Sequence, residues 1–490
     1  MAKRRIKRRK PLSRKQTGHS EHAPLSALAP VISQKQIFSA IHSHVAIAQR
    51  RRDYRPSDKL VFVVLGIISG AETINDINHT LRVDAPLLGA FGYDSCAEQS
   101  VIQQTLNAAT AENVVQLESA LEQIWRQENQ SASVLESAAR EQTIVTVDLD
   151  LSGMPASAKA EGSTKGYFAG KRNTYGRQLA RVVVPKTQEI VTESLYPGNT
   201  LSCQVFKEMV IKMEQRLGLQ TTSHHGHFLR SQRAWIRLRL DGGFGTDANI
   251  NYALWRGYHI LAKIYSGKRA KKLAQSVVQW VEMPTAGQKA KNQPSTRAVG
   301  WVTTPHRYGR RTRQLAIRTP NPKREGRFCY RVLVTTDMNA DIADVVKDYD
   351  QRGGVPENSF CQSNQGLAHR KRRKRGFVAQ QMLMLLSQLA HNLILWLKGW
   401  MIQTLQQQTV AQTDLDSHDQ IPIAAIKTID GYGIKRFVRQ FLALSGTIII
   451  RRNQVKRLIL SRRYPMIQRI AVALVALLTP YGVSVSVGKT

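Results

Sequence analysis

A chain of 490 residues is long for one hydrophobic core and implies two or three domains. Hydrophobic residues make up 42% of it, which excludes a disordered protein, and a net charge of +36 points to a polyanionic partner, nucleic acid first. The length argues against a ribosomal protein, and the spread of charge argues against an amphipathic membrane anchor. Cys96, Cys203, Cys329 and Cys361 lie far apart with no Cys-x-x-Cys pair, so neither a disulfide framework nor a zinc ribbon is expected. A reducing cytoplasm is the natural setting. No stretch reaches the ~18 consecutive apolar residues of a membrane span, so no membrane partner is expected.

In chain order, residues 1–34 read as a disordered basic tail ending in a loop around Pro24 and Pro30. Its start, Met1 to Lys10, is no secretory signal and fits either a nuclear address or a basic arm along DNA phosphates. From Gln36 to about Asn129 the patterns are helical. Pro56-Ser57-Asp58 marks a helix start, and Ser95–Leu106 and Thr110–Trp125 read as two further helices. Residues 35–140 are therefore expected to form a helical DNA-binding domain, with a dimerisation or scaffold bundle as an equal alternative.

From Thr143 the period becomes strand-like over Ile144–Leu151, Gln178–Val184, Glu189–Leu195 and Ala234–Leu240, with a helix over Cys203–Leu217. Short apolar runs among dense Lys and Arg at Val277–Val281, Val299–Thr303, Gln314–Arg318 and Tyr330–Thr335 predict a basic β insertion. Helical patterns return at Ile342–Tyr349 and over Phe377–Trp400. The tail from Tyr432 offers a strand at Thr447–Ile450 and a helix at Met466–Leu478.

Strand alternation puts Thr146, Asp148 and Asp150 on one face, and Arg237, Arg239 and Asp241 share a face of the later strand. A lone strand-end aspartate is ordinarily a solvated end or a turn cap. Two of them in a strongly basic chain suggest more, because hard divalent cations take oxygen ligands. Two such ions about 3.5–4 Å apart clamp the attacking and leaving oxygens of a phosphodiester. That chemistry needs a third carboxylate, expected on a helix after the insertion.

At this point the residues resemble a family, the DDE transposases of bacterial insertion sequences, in the cut-and-paste group with the Tyr-Arg-Glu-Lys signature. The pieces are Val147-Asp148-Leu149-Asp150-Leu151-Ser152, Lys165-Gly166-Tyr167, Tyr196-Pro197-Gly198-Asn199 and Arg239-Leu240-Asp241-Gly242-Gly243-Phe244. After them come Tyr349-Asp350-Gln351-Arg352, Glu357, Gln365-Gly366-Leu367 and the stretch from Ala379 to Leu393. Each is short, and their order and spacing carry the likeness.

The resemblance implies an α/β fold. Its parts are a ribonuclease-H-like catalytic core over 141–262 and 339–405, the basic β insertion over 263–338, a helical N-terminal domain and a helical C-terminal region over 406–490. It implies catalytic and metal-binding roles for Asp150, Asp241 and Glu357, with Mg²⁺ or Mn²⁺ as cofactor. Asp150 is preferred to Asp148 because Asp150-Leu151-Ser152 carries the Ser two places on. Tyr349 and Arg352 are implied to hold transposon-end phosphates. Glu357 departs from the pattern, with four residues rather than three after Arg352, and Asn364 stands where the signature has Lys.

The run Arg370, Lys371, Arg372, Arg373, Lys374 and Arg375 is expected to bind DNA phosphates rather than merely face solvent. Arg307, Arg310, Arg311 and Arg313, with Tyr308 among them, suit the same task, and Trp280 or Trp301 either stacks on a base or packs in the core. His224-His225-Gly226-His227 is read as a solvated loop rather than a metal site. The expected function is DNA transposition: cleavage at transposon ends and strand transfer into target DNA. The expected partners are double-stranded terminal repeats and target DNA, bound by a homodimer at the bacterial nucleoid. The alternatives are a structure-specific nuclease and a decayed, transposase-derived DNA-binding protein.

Overall fold

The computed structural model describes residues 16–50, 53–168, 171–219, 230–284, 296–321, 324, 326–354, 356–411 and 420–488. Its strands in chain order are β1 (Gln16–Ser20), β2 (Val145–Pro155), β3 (Thr164–Phe168), β4 (Lys171–Val184), β5 (Glu189–Pro197), β6 (Ile236–Leu240) and β7 (His259–Lys263). They continue with β8 (Val281–Pro284), β9 (Thr296–Trp301), β10 (Arg313–Pro320), β11 (Phe328–Thr335), β12 (Gly446–Arg451), β13 (Gln454–Ser461) and β14 (Ser484–Gly488). The chain is mixed α/β and divides into two units, Trp125–Cys361 and the combination of Met1–Ile124 with Gln362–Thr490.

In the unit Trp125–Cys361, one sheet runs in the order β3-β4-β2-β6-β7-β11-β10-β9-β8, with β5 also paired to β4. β2 is antiparallel to β4 and β4 to β5, whereas β2, β6 and β7 are mutually parallel. Val145, Val147 and Leu149 fill the core from one face of β2, while Thr146, Asp148 and Asp150 take the other, as the period of two requires. β4 is buried at every position from Gly176 to Val184, which suits a central strand covered on both faces. The helix Ser202–Arg216 presents Val205, Phe206, Met209, Val210 and Met213 to the core. Its Glu214 ends it as a hub, accepting from Arg256 Nε and Tyr258 Oη at 2.7 Å and from Arg233 Nε at 3.1 Å.

The strands expected as a separate insertion continue the same sheet. β11 pairs β7 from Leu333↔Lys263 to Thr335↔Leu261. Leu261, Val299, Leu315, Ile317 and Leu333 then share one apolar cluster with Val345 and Val346 of the helix Ile342–Gly354. Among the described residues of 263–338, Val299, Leu315, Ile317 and Leu333 pack into that shared cluster. Its first strand is Val281–Pro284 rather than Val277–Val281.

In the other unit β1-β12-β13-β14 form a second sheet. A disordered tail over 1–34 does not hold for residues 16–34. β1 pairs β12, and the helices Ala23–Ala27 and Ala29–Gln34 bury Leu25, Val31 and Ile32 completely. Pro24 and Pro30 occupy first-turn positions, where the missing N–H costs nothing, so they start helices rather than mark a loop. His22 and Ser20 both bond Asp84, at 3.2 and 2.8 Å, and Asp84 caps the helix Ala85–Ala90 through Leu87 N. The helix start at Pro56 is as expected, with Asp58 Oδ2 accepting from Arg55 N at 2.8 Å. The long helix Phe377–Ala411 belongs to this unit and not to the unit Trp125–Cys361. No helix among the described residues is long and apolar enough to cross a membrane.

Candidate active site

The parallel ladder of β2 and β6 pairs Thr146 with Arg237, Asp148 with Arg239, and Leu149 with Leu240. The next step sets Asp150, midway along β2, beside Asp241, the first residue after β6. Their proximity is felt electrostatically. Burial pushes the Asp150 carboxyl up to about 6, the Arg352 cation opposes this, and the Asp241 charge adds to it. Asp241 is oriented by its own turn, with Oδ1 accepting from Gly243 N at 2.9 Å and Phe244 N at 3.3 Å. Gly245 completes the turn, where a Cβ would collide with the Lys263 carbonyl, and Tyr265 N donates to its oxygen at 2.8 Å. Glycine is needed there because β7 passes too close for a side chain.

Asp148 is placed elsewhere in function. Arg239 Nε and Nη2 each lie 2.6 Å from one of its oxygens, and both residues are buried. A third nitrogen, Nη1, donates to the Asp348 carbonyl. Both oxygens of Asp148 are thus engaged by a buried guanidinium, unlike those of Asp241.

The helix Ile342–Gly354 lies over this face and is tied to it by charge. Arg237 Nη1 reaches Asp348 Oδ2 at 2.9 Å, Arg297 Nη1 donates to Asp350 Oδ1 at 3.0 Å, and Arg352 Nη2 donates to Asp150 Oδ1 at 2.8 Å. Tyr349 packs against the apolar cluster of this helix. Burial, opposed by Arg352 and aided by Asp241, pushes its phenol up to about 12, so it remains a donor. Burial also lowers Lys263, beside Asp241. Sequence reasoning missed Lys263 because β7 carries no motif.

Glu357 lies in the helix Pro356–Cys361, and its side chain is outside the described residues. The rest of that helix is anchored. Arg181, the ladder partner of Asp150, donates from Nη1 to Ser359 Oγ at 2.8 Å and stacks its guanidinium 4.2 Å from the Phe360 ring centroid. The same Arg181 pairs with buried Glu193, Nε to Oε1 at 2.5 Å. Sequence reading missed this Arg–Glu pair, whose one signal is a pair of charges in otherwise apolar strands. Among the described residues no cluster of three His, Cys, Asp or Glu side chains is assembled. Asp150 and Asp241 nonetheless fit a hard divalent cation, being two carboxylates held side by side whose mutual repulsion a cation would relieve.

The basic run lies in the other unit and alternates. Lys371, Arg373 and Arg375 are exposed, while Arg372 and Lys374 are buried. Arg372 Nη1 donates to the Ala71 carbonyl at 3.0 Å and Nη2 to that of Leu367, and Lys374 N donates to Gln380 Oε1 at 2.7 Å. The Arg372 guanidinium is thus spent on backbone carbonyls within the fold. Lys371 bonds Glu72. In the sheet unit, Arg310 and Arg313 bond backbone carbonyls, and the Trp301 and Trp280 rings are stacked by Arg313 at 3.5 Å and Arg318 at 4.4 Å. The segment His224–His227 lies outside the described residues.

The family model described as Transposase DDE domain group 1 matches residues 20–417. The chain belongs to the DDE transposase family. Membership covers most of the sequence and implies an enzyme class that breaks and forms phosphodiester bonds. Among seven solved chains that match is a piggyBac transposase, in a cryo-EM structure of its synaptic complex with hairpin DNA. It is 11% identical with a TM-score of 0.40, and the likeness covers 87% of each chain. No curated protein matches.

Proposed function

We propose that this DDE transposase cleaves DNA at transposon ends and transfers the freed strand into target DNA, using Asp150, Asp241 and Glu357. The observation that carries the reading is the adjacency of Asp150, on β2, and Asp241, just past the end of parallel β6. The strand order β5-β4-β2-β6-β7, antiparallel then parallel, supports a ribonuclease-H-like core. Mg²⁺ or Mn²⁺ would be held by these carboxylates and would supply charge stabilisation to the phosphodiester being cleaved.

The chain's own residues do the rest. Asp150 presents its oxygens from within β2 and Asp241 from the end of β6, and the turn amides of Gly243 and Phe244 fix Asp241. Arg352 neutralises Asp150 and is the cation placed to pass from carboxylate to phosphate. Tyr349 offers a phenolic hydrogen. The partners are duplex terminal repeats and target DNA, bound by a homodimer at the bacterial nucleoid. The chain belongs with the insertion-sequence enzymes of the Tyr-Arg-Glu-Lys group.

The test is Asp241→Ala on a duplex carrying the element's end, with Mg²⁺ present. Loss of cleavage with duplex binding kept is expected, and unchanged cleavage overturns the carboxylate assignment. Cutting without strand-transfer products identifies a nuclease. Binding by the wild type without any cutting identifies a decayed enzyme.

A further inference from the structure

From Gly431 onward the sequence holds eleven Lys and Arg and no Asp or Glu. Four of these cations, Arg451, Arg452, Lys456 and Arg457, are exposed on the hairpin formed by β12 and β13. Its turn is Arg452-Asn453, with φ of 51° and 62°. Two positive φ values make the tight turn that suits right-twisted strands and that favours Asn-Gly. An arginine is strained in the first place of such a turn. The sequence nevertheless puts a cation there, at the outermost point of the hairpin.

The strands repeat the preference. The register moves from Ile449↔Arg457 to Ile450↔Val455, leaving Lys456 as an extra residue. Without that bulge, alternation would turn one of Lys456 and Arg457 inward; with it, Val455 and Leu458 are buried and both cations are exposed. Their hydrogen-bond partners are neutral, Gln454 Oε1 for Lys456 at 2.7 Å and Ser486 Oγ for Arg457 at 3.5 Å. Among the described residues none of the four cations forms an ion pair. β1 adds to the same end of the sheet. Gln16 pairs with Ile450, and the sequence before it, residues 1–15, holds nine Lys and Arg and no acid.

We propose that this hairpin is a binding surface for the phosphate backbone of duplex DNA, carried on the unit that lacks the paired carboxylates. A two-stranded β ribbon has the width the major groove admits, and uncompensated cations on it release counterions when they meet phosphates. The proposal rests on the reading that DNA is the substrate.

The experiment titrates the full chain with a 30-base-pair duplex of arbitrary sequence over a range of salt. Wild type is compared with R451Q/R452N/K456Q/R457Q, in which asparagine keeps the turn conformation. The slope of log K against log salt falls by about 0.9 for each phosphate that is no longer neutralised. The expected result is a slope smaller by about 2–4 and at least tenfold weaker binding near physiological salt, with an unchanged thermal midpoint. If the fourfold variant does not fold, K456Q/R457Q replaces it, with a slope change of about 1–2 expected. An unchanged slope and affinity in a folded variant overturns the proposal. The outcomes also separate this proposal from the carboxylate reading. Failure of Asp241→Ala to alter cleavage leaves the binding comparison intact, whereas a wild type that binds no duplex overturns both.

Discussion

Arg352 donates from Nη2 to Asp150 Oδ1 at 2.8 Å, so the cation expected at a phosphate holds a carboxylate in this structure. The Asp150 carboxyl, raised to about 6 by burial and by Asp241, still owes part of its ionisation to that arginine. An acid with a raised pKa carries its proton below that value. At subsaturating Mg²⁺, where protons and the cation compete for the site, cleavage is therefore expected to fall about tenfold for each pH unit below about 6. Arg352→Gln removes a lowering influence and moves this acidic limb to higher pH. Cleavage rates measured from pH 5 to 8 check both, and a limb that stays in place in the variant refutes the coupling.

Asp148→Ala is expected to damage stability rather than chemistry alone. Removing one partner of a buried ion pair costs about 3–5 kcal/mol, since Arg239 is left charged and buried. Asp241→Ala, at a partly exposed turn, costs far less. Urea unfolding of the two variants side by side makes the comparison, and equal midpoints would refute the structural role of Asp148.

Arg181 is a positioning residue for the helix that carries Glu357. Arg181→Met leaves Glu193 unpaired and loses about 3–5 kcal/mol, whereas R181M/E193M regains most of it, as apolar replacement of a buried pair does. Cleavage in the double variant stays at least tenfold low, because Ser359 and Phe360 have lost their anchor. Stability and cleavage that recover together would reduce Arg181 to a structural part.

The basic run separates by alternate residues. Arg372→Ala orphans the Ala71 and Leu367 carbonyls and lowers the unfolding midpoint. Arg373→Ala changes stability by no more than about 0.5 kcal/mol and weakens duplex binding instead. Parallel melting and binding curves on the two proteins distinguish them.

Much of the sheet was legible because its strands alternate or run apolar: Ile144–Leu151 and Ala234–Leu240 fall on β2 and β6 within a few residues. β7, β13 and β14 were not, since His259–Lys263, Gln454–Ser461 and Ser484–Gly488 are short or thick with charge and gain their pairing from neighbours. The apolar stretch at Ala23–Ile32 was hidden by two prolines that open helices instead of breaking them. Alternation placed Asp148 and Asp150 on one face correctly. Which of them is engaged by an arginine depends on register with a strand some ninety residues away, and no local pattern reports that.

The Asp148–Arg239 bridge has a consequence for how the two strands find each other. Because side chains alternate, sliding β6 by one residue against β2 would turn Arg239 toward the apolar layer and leave Asp148 facing none. Sliding by two would oppose Asp148 to Asp241 in one direction; in the other it would pair Asp148 with Arg237 and Asp150 with Arg239 and part Asp150 from Asp241. The bridge thus marks the alignment in which the carboxylates of Asp150 and Asp241 come side by side.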